Sequence, residues 1–311
     1  MFVDFHCDTL YRLVDKQVNF FEKSNEGHVD FPRMKEGKVH LQVFAVFVDP
    51  KFMRKNAATI ALKMIDKMHE LVEKSNELQL ILKGEDIDKI KKEGKIGALL
   101  SIEGGEALEG ELSLLRMFYK LGVRALTLTW SLRNDLGDGV DGVKEAGLTS
   151  FGKEVVKEMN RLGMIVDVSH LNEKGFWDVV ELSEKPIIAS HSNAKTLCSH
   201  RRNLTDEQIK AIAQKGGVIG INFVPQFLRD DKNATIEDIL NHIDYMVELV
   251  GEDYIGFGSD FDGISSTPEG LEDISQFPEI VEGLIKRGYT QEQIEKITYK
   301  NFENLIKKIL I

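Results

Sequence analysis

The sequence predicts one (β/α)8 barrel of the TIM type, a single α/β domain covering residues 1–311. Two observations predict it. Short runs rich in strand-forming residues alternate with longer stretches at helical spacing from end to end, and there are eight such runs. Several are almost continuously apolar, as parallel strands covered on both faces must be. A doubly wound open sheet shows the same alternation and is the competing architecture. No Pro-rich or Gly/Ser-rich tract interrupts the pattern, so no linker divides the chain.

Taken in order, the runs are "MFVDFH" (1–6), "VHLQVFAVFV" (39–48), "IGALLSIEG" (96–104), "VRALTLTW" (123–130), "MIVDVSH" (164–170), "PIIASH" (186–191), "GGVIGINF" (216–223) and "YIGFGSD" (254–260). Helical patterns lie between them. From Arg54 to Glu77, apolar residues at Ala57, Ile60, Ala61, Met64, Met68, Leu71 and Val72 form one stripe. "TSFGKEVVKEMNRLG" offers Thr149 or Ser150 as a cap and stops at Gly163. "LTDEQIKAIAQKGG" sets Thr205 three residues before Gln208, the spacing of a capping box. The closing stretch "YTQEQIEKITYKNFENLIKKIL" predicts a helix whose apolar side packs inward.

Composition narrows the function. Acidic residues outnumber basic ones 51 to 40, for a formal charge of −11, and such a surface repels phosphate backbones. The one basic stretch, "KIKKEGK", is short and mixed with an acid, as a solvated helix end is. Two cysteines, Cys7 and Cys198, build no disulfide framework, which suits a reducing compartment. Asp4, His6 and Asp8 interrupt what would be the apolar segment of a signal peptide. No run approaches the ~20 apolar residues of a membrane span. The expectation is a soluble cytoplasmic protein with neither a membrane nor a nucleic-acid partner.

In such a barrel the reactive groups gather at the carboxyl ends of the strands. The first run ends in His6 with Asp8 just beyond, the third carries Glu103, the fifth ends in His170, the sixth in His191 and the eighth in Asp260. The opposite ends carry no comparable set. Alternation along a strand puts His6 and Asp8 on one side and Cys7 on the other. Gly104 and Gly105 let backbone or substrate approach Glu103 closely. Together His6, Asp8, Glu103, His170 and His191 offer three nitrogens and two carboxylates. That mixture suits zinc, and is rich enough for two ions if one carboxylate bridges them. Two ions about 3.5–4 Å apart can hold a hydroxide and polarise a carbonyl. His28, His40, His69 and His242 fall in loop, strand-start or helical contexts and are expected to pack or face solvent.

With those residues in hand, the chain resembles the renal (membrane) dipeptidase family of zinc peptidases, a branch of the amidohydrolase-like barrels. The resemblance runs from Phe2 to about Gly263 and rests on "DFHCDTL", "SIEGGEAL", "RALTLTW", "VDVSH", "ASHSNAKTLCSHRRNLTDEQ", "GGVIGINF" and "GFGSDFDG". It implies two zinc ions: His6 and Asp8 bind one, His170 and His191 the other, and Glu103 bridges. It implies hydrolysis of dipeptides by attack of the bridging hydroxide, with tolerance of a D-residue at the C-terminal position. Arg202, in the "RRN" motif, is implied to grip the substrate's C-terminal carboxylate, for which its planar fork is suited. Asp260 is implied to pass a proton from water to the leaving amine, with Asp262 as the alternative. Trp130 stands at a substrate-binding position where mammalian members carry histidine, so oxyanion stabilisation departs from their pattern.

Another amidohydrolase-type activity (amidase, lactonase or deaminase) is the competing reading. Many of those relatives open with HxH and bridge their metals through a modified lysine. Here the opening is HxD, and Lys95 precedes its strand at the wrong end of the barrel. Segments 131–147, 224–235 and 261–275 are expected to roof the site, and Asp135, Asp138 and Asp141 to favour a cationic N-terminal residue. The apolar final helix and the habits of the resembling family suggest a homodimer.

Overall fold

A computed structural model of the chain describes residues 1–16 and 18–310. Its strands are β1 (Phe2–Cys7), β2 (Val39–Phe47), β3 (Leu78–Leu80), β4 (Ile96–Glu103), β5 (Val123–Thr127), β6 (Ile165–Asp167), β7 (Ile187–Ile188), β8 (Ile219–Ile221) and β9 (Ile255–Phe257). All pairs are parallel, in the order β7-β6-β5-β4-β2-β1-β9-β8. A bridge between Ala189 and Ile219 brings the end of β7 to β8 and closes the ring. The barrel is therefore built from the eight expected runs. The ninth strand, β3, lies off the ring. It pairs with the start of β4 at Ile96–Ala98, and β5 takes over that edge from Leu100 onward. Three residues are too few to stand out as a strand in "ELQLIL".

The expected runs overreach at their carboxyl ends. β6, β7 and β9 stop three residues short of His170, His191 and Asp260. His170 and Asp260 adopt left-handed backbone (φ +69° and +64°), which no ladder accommodates. The reactive groups on these strands thus ride on the first turn beyond them.

Val3 and Phe5, Leu41 and Val43, Leu99, Ala125, Ile165, Ile188 and Val218 form one buried cluster with the last helix, Asn301–Ile309. Phe302 from that helix stacks on Phe5 at 3.8 Å between ring centres and 8° between planes. Asn301 Nδ2 donates to the carbonyls of Glu252 and Ile255, pinning the helix at the entry to β9. The closing stretch is not one uniform helix. Thr290 and Gln293 cap a first turn over Gln291–Glu295, and a π turn at Lys296–Lys300 shifts the register before Asn301. Its apolar side packs inward as expected, so that face is spent inside the chain and is not free to join a second copy.

The outer helices follow the same logic. Ala57–Lys74 buries Ala57, Ala61, Met64, Ile65, Met68 and Leu71. Ser150–Leu162 is capped by Thr149, which accepts from Gly152 N–H, and ends at Gly163 with φ +72°. Asp206–Gln214 carries the expected capping box of Thr205 and Gln208. Among the described residues no helix is long and apolar enough to cross a membrane.

If the final helix seals the barrel floor, Phe302→Ala should cost about 3–5 kcal/mol in urea unfolding. An unchanged midpoint would show that the floor is closed without it.

Candidate active site

Backbone geometry at the mouth is set first by the end of β1. Its ladder to β2 is irregular between Asp4 and Cys7. Asp260 N–H donates to His6 O at 3.1 Å and Asp8 N–H to Phe261 O at 2.8 Å, so the β1 end and the β9 loop hold each other. Cys7 points away into the layer under the helices, where its sulfur meets Thr9 Oγ1 at 3.3 Å. At the end of β4, Gly104 takes φ +86°, a turn that an L side chain rarely adopts, and the chain folds Glu106 in beneath it. Burial pushes the Glu106 carboxyl up to about 7, and Asn134 donates to it at 3.2 Å.

The five expected ligands converge. His170 Nε2 lies 2.9 Å from His191 Nε2 and 3.0 Å from Glu103 Oε1. His191 Nε2 is 3.7 Å from the same oxygen. On the other side, His6 Nε2 is 3.5 Å from Glu103 Oε2 and 3.4 Å from Asp8 Oδ2. Glu103 therefore faces the His170–His191 pair with one oxygen and His6 with the other. All five are at least nine-tenths buried.

What orients the imidazoles can be read from their far nitrogens. Ser190 Oγ donates to Asp167 Oδ2 at 2.5 Å, so at 2.7 Å it accepts from Nδ1–H of His191. Asp167 is held in turn by Thr127 Oγ1 and by the amides of Ser169 and Ser190. His170 Nδ1 meets Ser131 Oγ at 3.2 Å. His191 then presents an Nε2 lone pair to the shared centre, the tautomer a metal ligand needs, and His170 does the same when its Nδ1–H is given to Ser131 Oγ.

Without a cation this arrangement is unfavourable. Two ring nitrogens meet at 2.9 Å beside a carboxylate, and neither ring nitrogen of buried His6 has a hydrogen-bond partner among the described residues. The electrostatics pull the same way. Burial and the positive charge of the neighbouring His6 and Arg202 side chains hold His191 well below its ordinary value. Burial also opposes a charge on His6, but the Glu103 and Asp8 carboxylates outweigh it and raise that ring. Burial and Glu103 push Asp8 up to about 7. Three imidazoles and two or three carboxylates fit divalent cations, and the oxygens and nitrogens of His6, Glu103 and His191, and separately of His6, Asp8 and Asp260, lie within 4.8 Å of one another.

The centre opens into a cavity of about 580 Å³. Segments 131–147, 224–235 and 261–275 each contribute to its walls, as expected of loops after these strands, and Trp130 lines it too. Asp260 faces it, with Oδ2 held by Asn222 Nδ2 at 3.0 Å and Oδ1 3.9 Å from His6 Nε2. Asp262, the alternative proton carrier, is placed differently. Its buried carboxylate is consumed by Thr9, Arg12 and the His28 amide. Arg202 is 5% exposed, makes no ion pair among the described residues, and donates only to His191 O at 3.3 Å, leaving Nε unpartnered. An arginine so buried and unpaired is costly unless a carboxylate completes it. Arg201, beside it, instead pairs with Asp141.

None of His28, His40, His69 and His242 enters the site; each bonds locally, His40 to Glu303 at 2.6 Å and His242 to the Ala194 amide. Sequence reasoning missed Asp167, Ser190 and Asn222, which brace the reactive groups. The signal was present: a buried imidazole needs a partner, and polar residues in "IVDVSH", "IIASH" and "GINF" are out of place in otherwise apolar runs.

Comparison with known proteins agrees with this geometry. The sequence matches the membrane dipeptidase family, peptidase family M19, over residues 1–309. An uncharacterised dipeptidase of Schizosaccharomyces pombe is 35% identical over 306 residues, covering 93% of this chain and 74% of the yeast protein. A metallopeptidase from Rhodobacter sphaeroides, solved with a phosphinate mimic of the dipeptide L-Ala-D-Ala, superposes with a TM-score of 0.93 at 31% identity, covering 99% of both chains. Another structure, described as dipeptidase AC of family M19, gives 0.94 at 31% identity, covering 99% of this chain and 98% of that one. The chain is a metallo-dipeptidase of the membrane dipeptidase family, M19.

Proposed function

We propose that the protein hydrolyses dipeptides with the help of two divalent cations, zinc in the first instance. His6 and Asp8 would hold one, His170 and His191 the other, and Glu103 would contribute an oxygen to each. The observation that carries the reading is the pairing of this donor cluster with a buried, unpaired Arg202 on the wall of the same cavity. When bound, the cations supply Lewis acidity toward the scissile carbonyl and the attacking water.

The rest of the chemistry belongs to the chain. The Arg202 guanidinium receives the substrate's C-terminal carboxylate, which both pairs a buried charge and sets the distance from that end to the scissile bond. This requirement places the scissile bond one residue before a free C-terminus, as in a dipeptide. Asn222 fixes one oxygen of Asp260 and leaves the other facing the reacting centre. Asp260 takes the proton that water loses as its oxygen bonds to the carbonyl carbon. It returns that proton to the nitrogen as the C–N bond breaks, so the amine leaves neutral. The Rhodobacter relative binds a mimic of a dipeptide ending in a D-residue, which supports tolerance of that stereochemistry here.

Asp260→Asn should lower kcat for L-Ala-D-Ala by about 10²–10⁴-fold while the protein keeps its full metal content. Metal loss in that variant would make Asp260 a ligand instead. Arg202→Ala should raise KM for dipeptides and abolish discrimination against the dipeptide amide; a retained preference for the free acid would place the carboxylate elsewhere. Ser190→Ala should weaken zinc binding by about 10–100-fold in a competition titration, with Ser190→Thr restoring it. Equal affinity in all three proteins would mean that the Asp167–Ser190 chain does not orient His191.

A further inference from the structure

Asp135, Asp138 and Asp141 are already paired within the chain, whereas the aromatic rings beside the cavity keep open faces. Asp141, the acid from 131–147 that reaches the cavity, is held by Arg201, with Nε to Oδ1 at 2.6 Å. Asp135 is paired with Arg54, and Asp138 is fully buried against Arg133 and the Val143 amide. Each of the three aspartates expected to attract a cationic N-terminal residue is thus already paired within the chain.

The rings form a continuous ridge. Tyr11 meets Phe47 edge-on at 6.1 Å, Phe47 tilts against Trp130 at 5.7 Å, and Trp130 lies 6.1 Å from the His170 ring. Tyr11 is 39% exposed, and Phe47 and Trp130 are only half-buried, so a face of each remains open to the cavity. Strand order says where the ridge stands relative to Arg202. Its members follow or end β1, β2 and β5, whereas Arg202 is carried by the loop after β7. Counting round the eight staves, β2 is diametrically opposite β7. A dipeptide anchored by its carboxylate on Arg202 and crossing the ligand cluster must point its N-terminal residue at Phe47 and its neighbours.

We infer that the Tyr11–Phe47–Trp130 ridge selects dipeptides whose N-terminal side chain is large and uncharged, aromatic or branched aliphatic. The inference rests on the dipeptidase reading and on the role of Arg202 given above. A phenyl or isobutyl group buries apolar surface against three ring faces and gains the favourable edge and offset contacts of aromatic pairs. A methyl group is too short to reach them. A carboxylate at the same place is desolvated with no free cation, since Arg201 is engaged. An ammonium gains only the weak attraction of water-exposed rings, and must give up hydration to approach them.

The test is a kcat/KM panel on zinc-reconstituted protein with Phe-Ala, Leu-Ala, Ala-Ala, Lys-Ala and Glu-Ala. Phe-Ala and Leu-Ala should exceed Ala-Ala by about tenfold or more, with Lys-Ala and Glu-Ala no better than Ala-Ala. In Phe47→Ala the Phe-Ala to Ala-Ala ratio should fall toward one, chiefly through KM. Phe47→Leu, which keeps most of the volume, should hold an intermediate ratio. A flat panel, a preference for Lys-Ala, or variants that lower all five substrates in proportion would overturn the selectivity and leave the dipeptidase reading standing. Protein that carries its metal and cuts none of the five would overturn both.

Discussion

Two imidazole nitrogens 2.9 Å apart beside a buried carboxylate are the contact on which the rest of the molecule depends. Such a cluster crowds buried polar groups together away from water, so it persists only where the surroundings over-determine it. The fold does so by several independent means. The closed ring fixes β4, β6 and β7 relative to one another; left-handed backbone at His170 turns that ring inward; Asp167, through Ser190, dictates the tautomer of His191. Each spends folding free energy to keep lone pairs aimed at a place that only cations make comfortable. That is the signature of a site built for ligands it has to recruit.

The two ends of the barrel divide the labour. At the floor, Phe302 and the apolar side of the last helix fill the interior with tightly packed carbon. At the mouth, nearly every side chain is polar, charged or aromatic and several lack partners within the chain. Stability is concentrated where no chemistry occurs, which lets the mouth tolerate unpaired Arg202 and unpaired His6 nitrogens. The β1 end joins the regions: its lower residues, Val3 and Phe5, belong to the packed interior, and His6, one position later, belongs to the ligand cluster.

Much of this was legible in the residues. Eight apolar runs alternating with helical stretches specify a barrel because parallel strands buried on both faces leave a strong pattern. The donor cluster was legible because a parallel barrel delivers the carboxyl ends of all its strands to one face, so residues far apart in sequence can be placed together by topology alone. Where legibility failed, the cause is physical. β3 is three residues long and draws its stability from pairing with β4, which leaves no local pattern. The strand ends were overrun because left-handed residues such as His170 and Asp260 carry no compositional mark. The pairing of Asp141 was not legible because its partner, Arg201, lies 60 positions away, and ion pairs across loops are not encoded by spacing. The same distance effect hid the aromatic ridge, whose three members follow or end three different strands.

The most direct measurement is anomalous diffraction at the zinc edge from crystals of the reconstituted protein. Two peaks are expected, one flanked by His6 and Asp8 and the other by His170 and His191, with Glu103 between them. A single peak, or density on any other part of the surface, would contradict the assignment of this cluster as a two-cation centre.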